Sequence, residues 1–179
     1  MLTDDQKRHL LGLARRAVVA QVTGEILPVD LVECELPEAS GVFVTLKSDG
    51  KLRGCLGTLD CRAGLEHEVA RCAADAASAD PRFAAVTTEE LPDVSIEVSV
   101  LGPLQAVDPC GPDAIEIGRH GLVVESGRRR GLLLPQVATE WNWTRDVFLR
   151  HTCLKAGLDA DAWRQGARVY RFEAEVFGG

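Results

Sequence analysis

"GVFVTLKSDGKLRGCLG", residues 41–57, decides the fold. Apolar residues alternate up to Leu46, Asp49-Gly50 supplies turn residues, and a second strand-like run begins at Lys51, which is the pattern of a β-hairpin. Two registers compete. With Asp49-Gly50 as a two-residue loop, Leu46 opposes Arg53 and Phe43 opposes Leu56, so both faces mix polarity. With a three-residue loop, Ser48 to Gly50, the residues Val42, Val44 and Leu46 oppose Leu56, Gly54 and Leu52 on one wholly apolar face. The other face then pairs Phe43 with Cys55, Thr45 with Arg53 and Lys47 with Lys51. A one-residue slip exchanges the faces, so the pattern selects the three-residue loop. It predicts Leu52 and Leu56 buried together, with Lys47 and Lys51 reaching water.

Side chains alternate along a strand, so Arg53 and Cys55 point the same way, about 6–7 Å apart. A guanidinium at that range favours a thiolate over a thiol. Thr45 belongs to the same face. Gly54 and Gly57 leave the flanking backbone bare, as expected where a ligand or another segment approaches closely. These residues make two readings available. In one, Cys55 is a nucleophile or a covalent or redox carrier, and Arg53, Gly54, Gly57 and Thr45 bind around it. In the other, Cys55 is a small apolar residue, and the face is a docking groove for a peptide, a small molecule or a protein.

Outward from the hairpin, Thr3 and Gln6 form a capping-box pattern that opens a helix, and Leu10, Leu13, Ala14, Ala17 and Val18 continue it toward Gly24. Residues 26–40 read as a surface loop. Leu65, Val69, Ala73 and Ala76 mark a second helix, with Arg71 and Asp75 paired on its wet side beside a solvated His67. Cys61 precedes this helix, whose N-terminus can lower a thiol pKa, and so rivals Cys55 or serves as its resolving partner. "DPRF" at 80–83 makes a turn, and "LPDVSIEVSVL" alternates as a half-buried strand. A second hairpin follows, Leu122 to Glu125 with Gly131 to Leu134, and Arg128 to Arg130 stand at its solvated tip. Pro135 begins a short helix through Glu140. Thr144 caps another, with Phe148, Leu149, Thr152, Cys153 and Ala156 on its apolar stripe and His151 beside it. Tyr170, Phe172, Ala174 and Val176 alternate on a one-sided last strand. Helices and hairpins in this order, without repeated βαβ units, predict an α+β fold with a largely antiparallel sheet.

If Cys55 is a nucleophile it needs a base or a lowered pKa. His120, between Arg119 and Gly121 on a turn, is the candidate base, and Glu140 is a weaker candidate for orienting it. A turn histidine bonded to its own loop is the competing reading.

The 179 residues suffice for one domain with a sizeable core. A net charge of -7 argues against a sequence-independent grip on nucleic acid or anionic lipid. No apolar run spans a bilayer and the start carries no signal-peptide pattern, so a cytoplasmic location is expected. The six cysteines, Cys34, Cys55, Cys61, Cys72, Cys110 and Cys153, are then expected to be reduced. They form no CxxC pair and no zinc-like spacing with histidine, so no metal site is predicted and melting is expected to be indifferent to chelators.

"GVFVTL", "LRGCLG", "DPRF", "IEVSVL", "GRHGL", "LLLPQV" and "TCLKAGL" occur in this order, and in them the chain resembles the AMMECR domain family, specifically its prokaryotic branch, the AmmeMemoRadiSam system protein A group. The likeness runs from the first helix to the last strand. It departs at Leu56, where isoleucine is usual, and at Ala84 and Ala85, which stand where prolines are expected. The resemblance implies residues 1–179 as a single AMMECR-like domain, its main sheet flanked by helices with a smaller lobe against it. It also implies a cleft near "RGC", and Memo-like and radical SAM proteins as partners in a three-component system. It supplies neither a reaction nor a cofactor.

Overall fold

The hairpin forms, but with the tighter turn. In the computed structural model, which describes residues 2–26, 35–111 and 114–179, β1 (Gly41–Ser48) and β2 (Lys51–Thr58) pair antiparallel. Asp49 and Gly50 take φ of 50° and 72°, and a two-residue loop with both values positive has the twist that a hairpin needs. Ser48 faces Lys51 and Lys47 faces Leu52. The register then shifts, so that Leu46 faces Gly54, Thr45 faces Cys55 and Val44 faces Leu56, with Arg53 as the extra residue of a bulge.

The three-residue loop, and with it the pairs Thr45–Arg53 and Phe43–Cys55, is therefore corrected. The residue that sorts the faces is inserted in the strand, where Arg53 bulges, and not in the turn. Beyond the bulge, tight turn and bulge together move each partner by two residues, which preserves the sorting of faces. Val42, Val44 and Leu46 are fully buried, with Gly54 and Leu56 opposite. Leu52 lies between turn and bulge, out of phase with the apolar face, and is 44% exposed instead of buried. Lys51 is exposed, and Lys47 is half-buried on Glu97 at 2.9 Å.

The chain forms two compact units, Met1–Leu101 with Glu175–Gly179, and Gly102–Ala174. In the first, β3 (Val94–Leu101) pairs with β1 on the side away from β2, which leaves β2 at the edge of the sheet. Helices α1 (Asp4–Thr23) and α2 (Leu65–Ser78) cover the apolar face, where Leu10, Val18, Val69, Cys72 and Ala73 pack with Val42, Val44, Leu46 and Val98. Each of the leucines and valines among them contributes about 1.5–3 kcal/mol by leaving water. The Thr3–Gln6 capping box is formed, and Gly24 ends α1 at φ 76°. Arg71 holds Asp75 at 2.9 Å, as their spacing predicts. The surface loop read over residues 26–40 falls largely on 27–34, outside the described residues, and Cys34 with it.

The second unit holds β4 (Gln105–Ala106), β5 (His120–Ser126), β6 (Arg129–Leu133) and the first part of β7 (Arg168–Gly178). β5 pairs antiparallel with both β6 and β7, and β4 pairs with β7. Helices α3 (Pro135–Glu140) and α4 (Arg145–Lys155) follow β6, and Phe148, Leu149, Cys153 and Trp163 pack with Leu122, Val124 and Val169. Thr144 stands at the N-cap of α4, but its carbonyl accepts from Phe148 N at 2.9 Å while its side chain makes no capping bond. β7 is not one-sided. Val169 and Phe172 are both buried, out of phase with each other, and Val176 is exposed. Its residues are divided between two units with separate cores, so no single alternation describes it. The α+β architecture, antiparallel strands flanked by helices, is the one expected.

Candidate functional site

The outer edge of β2 is closed at Cys55 by two side chains of the "DPRF" turn. α2 ends beside β2, and its C-cap Ala79 hands the chain to Asp80. Asp80 is buried, and its Oδ2 accepts the Cys55 backbone N–H at 2.8 Å. Arg82 donates to the same carboxylate, through Nε to Oδ1 at 2.9 Å and through Nη2 to Oδ2 at 2.7 Å. Its Nη2 also donates to the Cys55 carbonyl at 3.3 Å. Carboxylate and guanidinium thus stand in for the neighbouring strand that an edge lacks. Arg82 holds Asp80 far below the usual carboxylate range, although burial works against this.

The Cys55 thiol is half-buried on the face opposite the helices. Thr45, directly across the pair, donates its hydroxyl to the sulfur at 3.3 Å. The Arg82 guanidinium also stands beside the sulfur. Thr45 and Cys55 are therefore brought together as expected, by a register different from the expected one.

Arg53 is placed otherwise. From its bulge it donates to Glu90 through Nε at 2.7 Å and Nη2 at 3.0 Å, and to the carbonyls of Ala84 and Ala85 at 2.8 and 3.2 Å. Glu90 also closes a capping box with Thr87, and the Arg53 bonds are the main reason that its pKa falls to about 2. Arg53 ties segment 84–90 to the sheet, with all three of its nitrogens engaged there. The charge partner of Cys55 is Arg82, which sequence reasoning passed over together with Asp80 and Glu90. The available signal is an acid and an arginine flanking a proline immediately after a helix, which the turn chemistry of "DPRF" does not by itself single out.

The bare backbone at Gly54 and Gly57 is filled by the protein itself. A Cβ at Gly54 would lie 2.2 Å from the Ala76 carbonyl oxygen of α2, and one at Gly57 would lie 2.3 Å from the Phe43 ring. These glycines admit a helix end and an aromatic ring.

His120 and Glu140 belong to the second unit. His120 is buried, and its Nδ1 accepts the Glu116 backbone N–H at 2.9 Å, closing its own turn. A neutral imidazole has one acceptor nitrogen, so in this arrangement the ring has no lone pair left to take a proton. Burial first, then the charges of Arg171 and Arg119, lower its pKa and keep it neutral. Glu140 is exposed at the end of α3. No hydrogen bond among the described residues joins it to His120, so the orienting role expected of it has no contact behind it.

The rival thiol is corrected as well. Burial, reinforced by Glu68 and Asp60, pushes Cys61 up to about 11, away from a reactive thiolate. Cys72 is likewise pushed up to about 11, chiefly by burial, and Cys153 is fully buried, whereas Cys110 is exposed. His67 is exposed as expected, and His151 stacks on Trp143 with ring centroids 4.0 Å apart. Among the described residues no group of three or more His, Cys, Asp or Glu is placed to hold a metal ion, and no helix is long and apolar enough to cross a membrane.

These features define an α+β protein with a braced cysteine at the edge of an antiparallel sheet. The AMMECR1 family model matches residues 11–177, and the chain belongs to the AMMECR1 family. It is 45% identical over 184 residues to a protein of Methanothermobacter thermautotrophicus, covering 98% of this chain and 95% of that one. A protein of Methanococcoides burtonii is 47% identical over 182 residues, with 99% and 90% covered. Among solved structures, the crystal structure of the uncharacterized protein PH0010 from Pyrococcus horikoshii superposes with a TM-score of 0.86 at 41% identity, covering 99% of this chain and 93% of that one.

Proposed function

We propose that this AMMECR1-family chain works through the Cys55 thiol of "LRGCLG", as the cysteine-bearing, catalytic component of an AmmeMemoRadiSam-type system with Memo-like and radical SAM partners. The supporting observation is the bracing of Cys55. Its N–H and C=O are held by Asp80 and Arg82, its sulfur accepts from Thr45, and the residue is half-buried instead of sealed in the core. A thiol fixed beside a guanidinium suits nucleophilic or carrier chemistry. Residues 1–179 act in this reading as one AMMECR-like domain.

The second reading is a non-catalytic module whose "LRGCLG" face docks a ligand or a partner. It is favoured by the engaged Nδ1 of His120, which leaves no expected base free. Iodoacetamide labelling of the native protein, resolved by cysteine in a mass spectrometer, decides between them. Cys110 is the exposed benchmark. An activated Cys55 reacts at least as fast as Cys110 despite its burial, while Cys61 lags and Cys72 and Cys153 react only on unfolding. A Cys55 that stays unlabelled in the folded protein removes the thiol reading and leaves the docking module.

A further inference from the structure

The two arginines beside Cys55 differ in what they leave open. Arg53 uses Nε, Nη1 and Nη2 within the protein, and its side chain is 17% exposed. Arg82 uses Nε and Nη2 on Asp80 and on the Cys55 carbonyl, and its guanidinium also lies beside the Cys55 sulfur and 5.4 Å from the Phe83 ring centroid. Both N–H groups of its Nη1 lack a partner among the described residues, and its side chain is 55% exposed. Asp80, its carboxylate gripping the far edge, cannot turn to meet that face. A guanidinium locked on one edge and open on another, next to a thiol, is shaped to take an oxyanion end-on.

We infer that the Cys55 site takes a ligand carrying an anionic oxygen group, a carboxylate or a phosphate, which the free Nη1 edge of Arg82 holds beside the sulfur. This rests on Cys55 being the functional centre. Fixed negative charge nearby does not oppose it, because Asp80 is neutralised by Arg82, Glu90 by Arg53, and Glu97 by Lys47. The attraction comes from directed donors more than from net charge, so arginine geometry matters as well as its sign.

Two alkylating reagents of similar size, anionic iodoacetate and neutral iodoacetamide, test this within one molecule. The iodoacetate-to-iodoacetamide rate ratio at Cys55 should exceed that at Cys110 by about fivefold, the upper range for a partly exposed ion pair. Arg82→Gln should bring it down to the Cys110 value, and Arg82→Lys should restore only part of it. A ratio at Cys55 equal to or below that at Cys110 overturns the inference even if Cys55 is highly reactive. Should Cys55 prove inert to both reagents, the thiol reading fails separately, and the anion site is decided on Cys55→Ser. Its melting temperature should rise in phosphate or in acetate over chloride at matched ionic strength, and not in Cys55→Ser with Arg82→Gln. The anion that stabilises identifies the ligand class, and no Arg82-dependent rise with either one refutes the site.

Discussion

Replacing Asp80 with asparagine should loosen the edge of β2 at one defined place. The carboxylate accepts from Cys55 N and Arg82 Nη2 on one oxygen, and from the Arg82 backbone N–H and Nε on the other. Asparagine keeps one acceptor, turns an amide N–H₂ toward donors, and loses the charge. Bonds to charged groups contribute about 1.5–3 kcal/mol each, and breaking a fully buried ion pair costs about 3–5 kcal/mol. Arg82 is half in water and regains part of its solvation, so the expected loss is about 2–3 kcal/mol. For a chain of this size that lowers Tm by about 5–10 °C. The three tryptophans and the single tyrosine all lie in the second unit, so fluorescence does not report on this edge. The assay is urea unfolding by far-UV circular dichroism, paired with hydrogen exchange at the Cys55 amide. That amide should lose its protection while the centre of β1 keeps its own. The pH dependence follows from the lowered pKa of Asp80. A folded-state value below the unfolded one, near 3.9, makes the stabilisation complete above about pH 5 and lost progressively as pH falls. The gap between wild type and variant should therefore close on acidification and not on raising the pH. A variant within about 0.5 kcal/mol of wild type at neutral pH, with Cys55 exchange unchanged, would refute the bracing of the site.

Gly54→Ala should destabilise by about 1–3 kcal/mol or more, because the obstacle to its Cβ is the backbone oxygen of Ala76, which cannot rotate away as a side chain does. The midpoint of urea unfolding measures this, and a neutral result would mean that α2 does not rest on β2 as described. Thr3→Ala should cost about 1 kcal/mol by removing the cap of α1, and Thr3→Ser should restore most of it in the same assay.

Much of the fold was legible in residues 1–179 because it depends on local period and local chemistry. The 3.6-residue rhythm and capping box of α1, the alternation of β3 from Val94 to Val98, and the Asp49-Gly50 hairpin are each set by neighbours a few positions apart, whereas Ser99, expected on the wet face of β3, is buried. Even the sorting of Val42, Val44 and Leu46 away from Thr45 and Cys55 followed from strand alternation alone, which survives a shift of two. What surrounds Cys55 was decided by segments that arrive from elsewhere in the chain. Asp80 lies 25 residues beyond Cys55, Arg82 lies 27 beyond it, and Glu90 lies 37 beyond Arg53. Alternation along a strand carries no record of which distant donor or acceptor will meet an edge. It therefore gave the thiol to Arg53, although a bulge and a buried carboxylate turn Arg53 toward Glu90 and Arg82 toward the sulfur. For His120 the sequence left two readings, a base and a turn histidine bonded to its own loop, and the bond from the Glu116 backbone decides for the second. Hydrogen-bond partners are a property of the folded chain, because each donor can be spent only once and tertiary packing settles where.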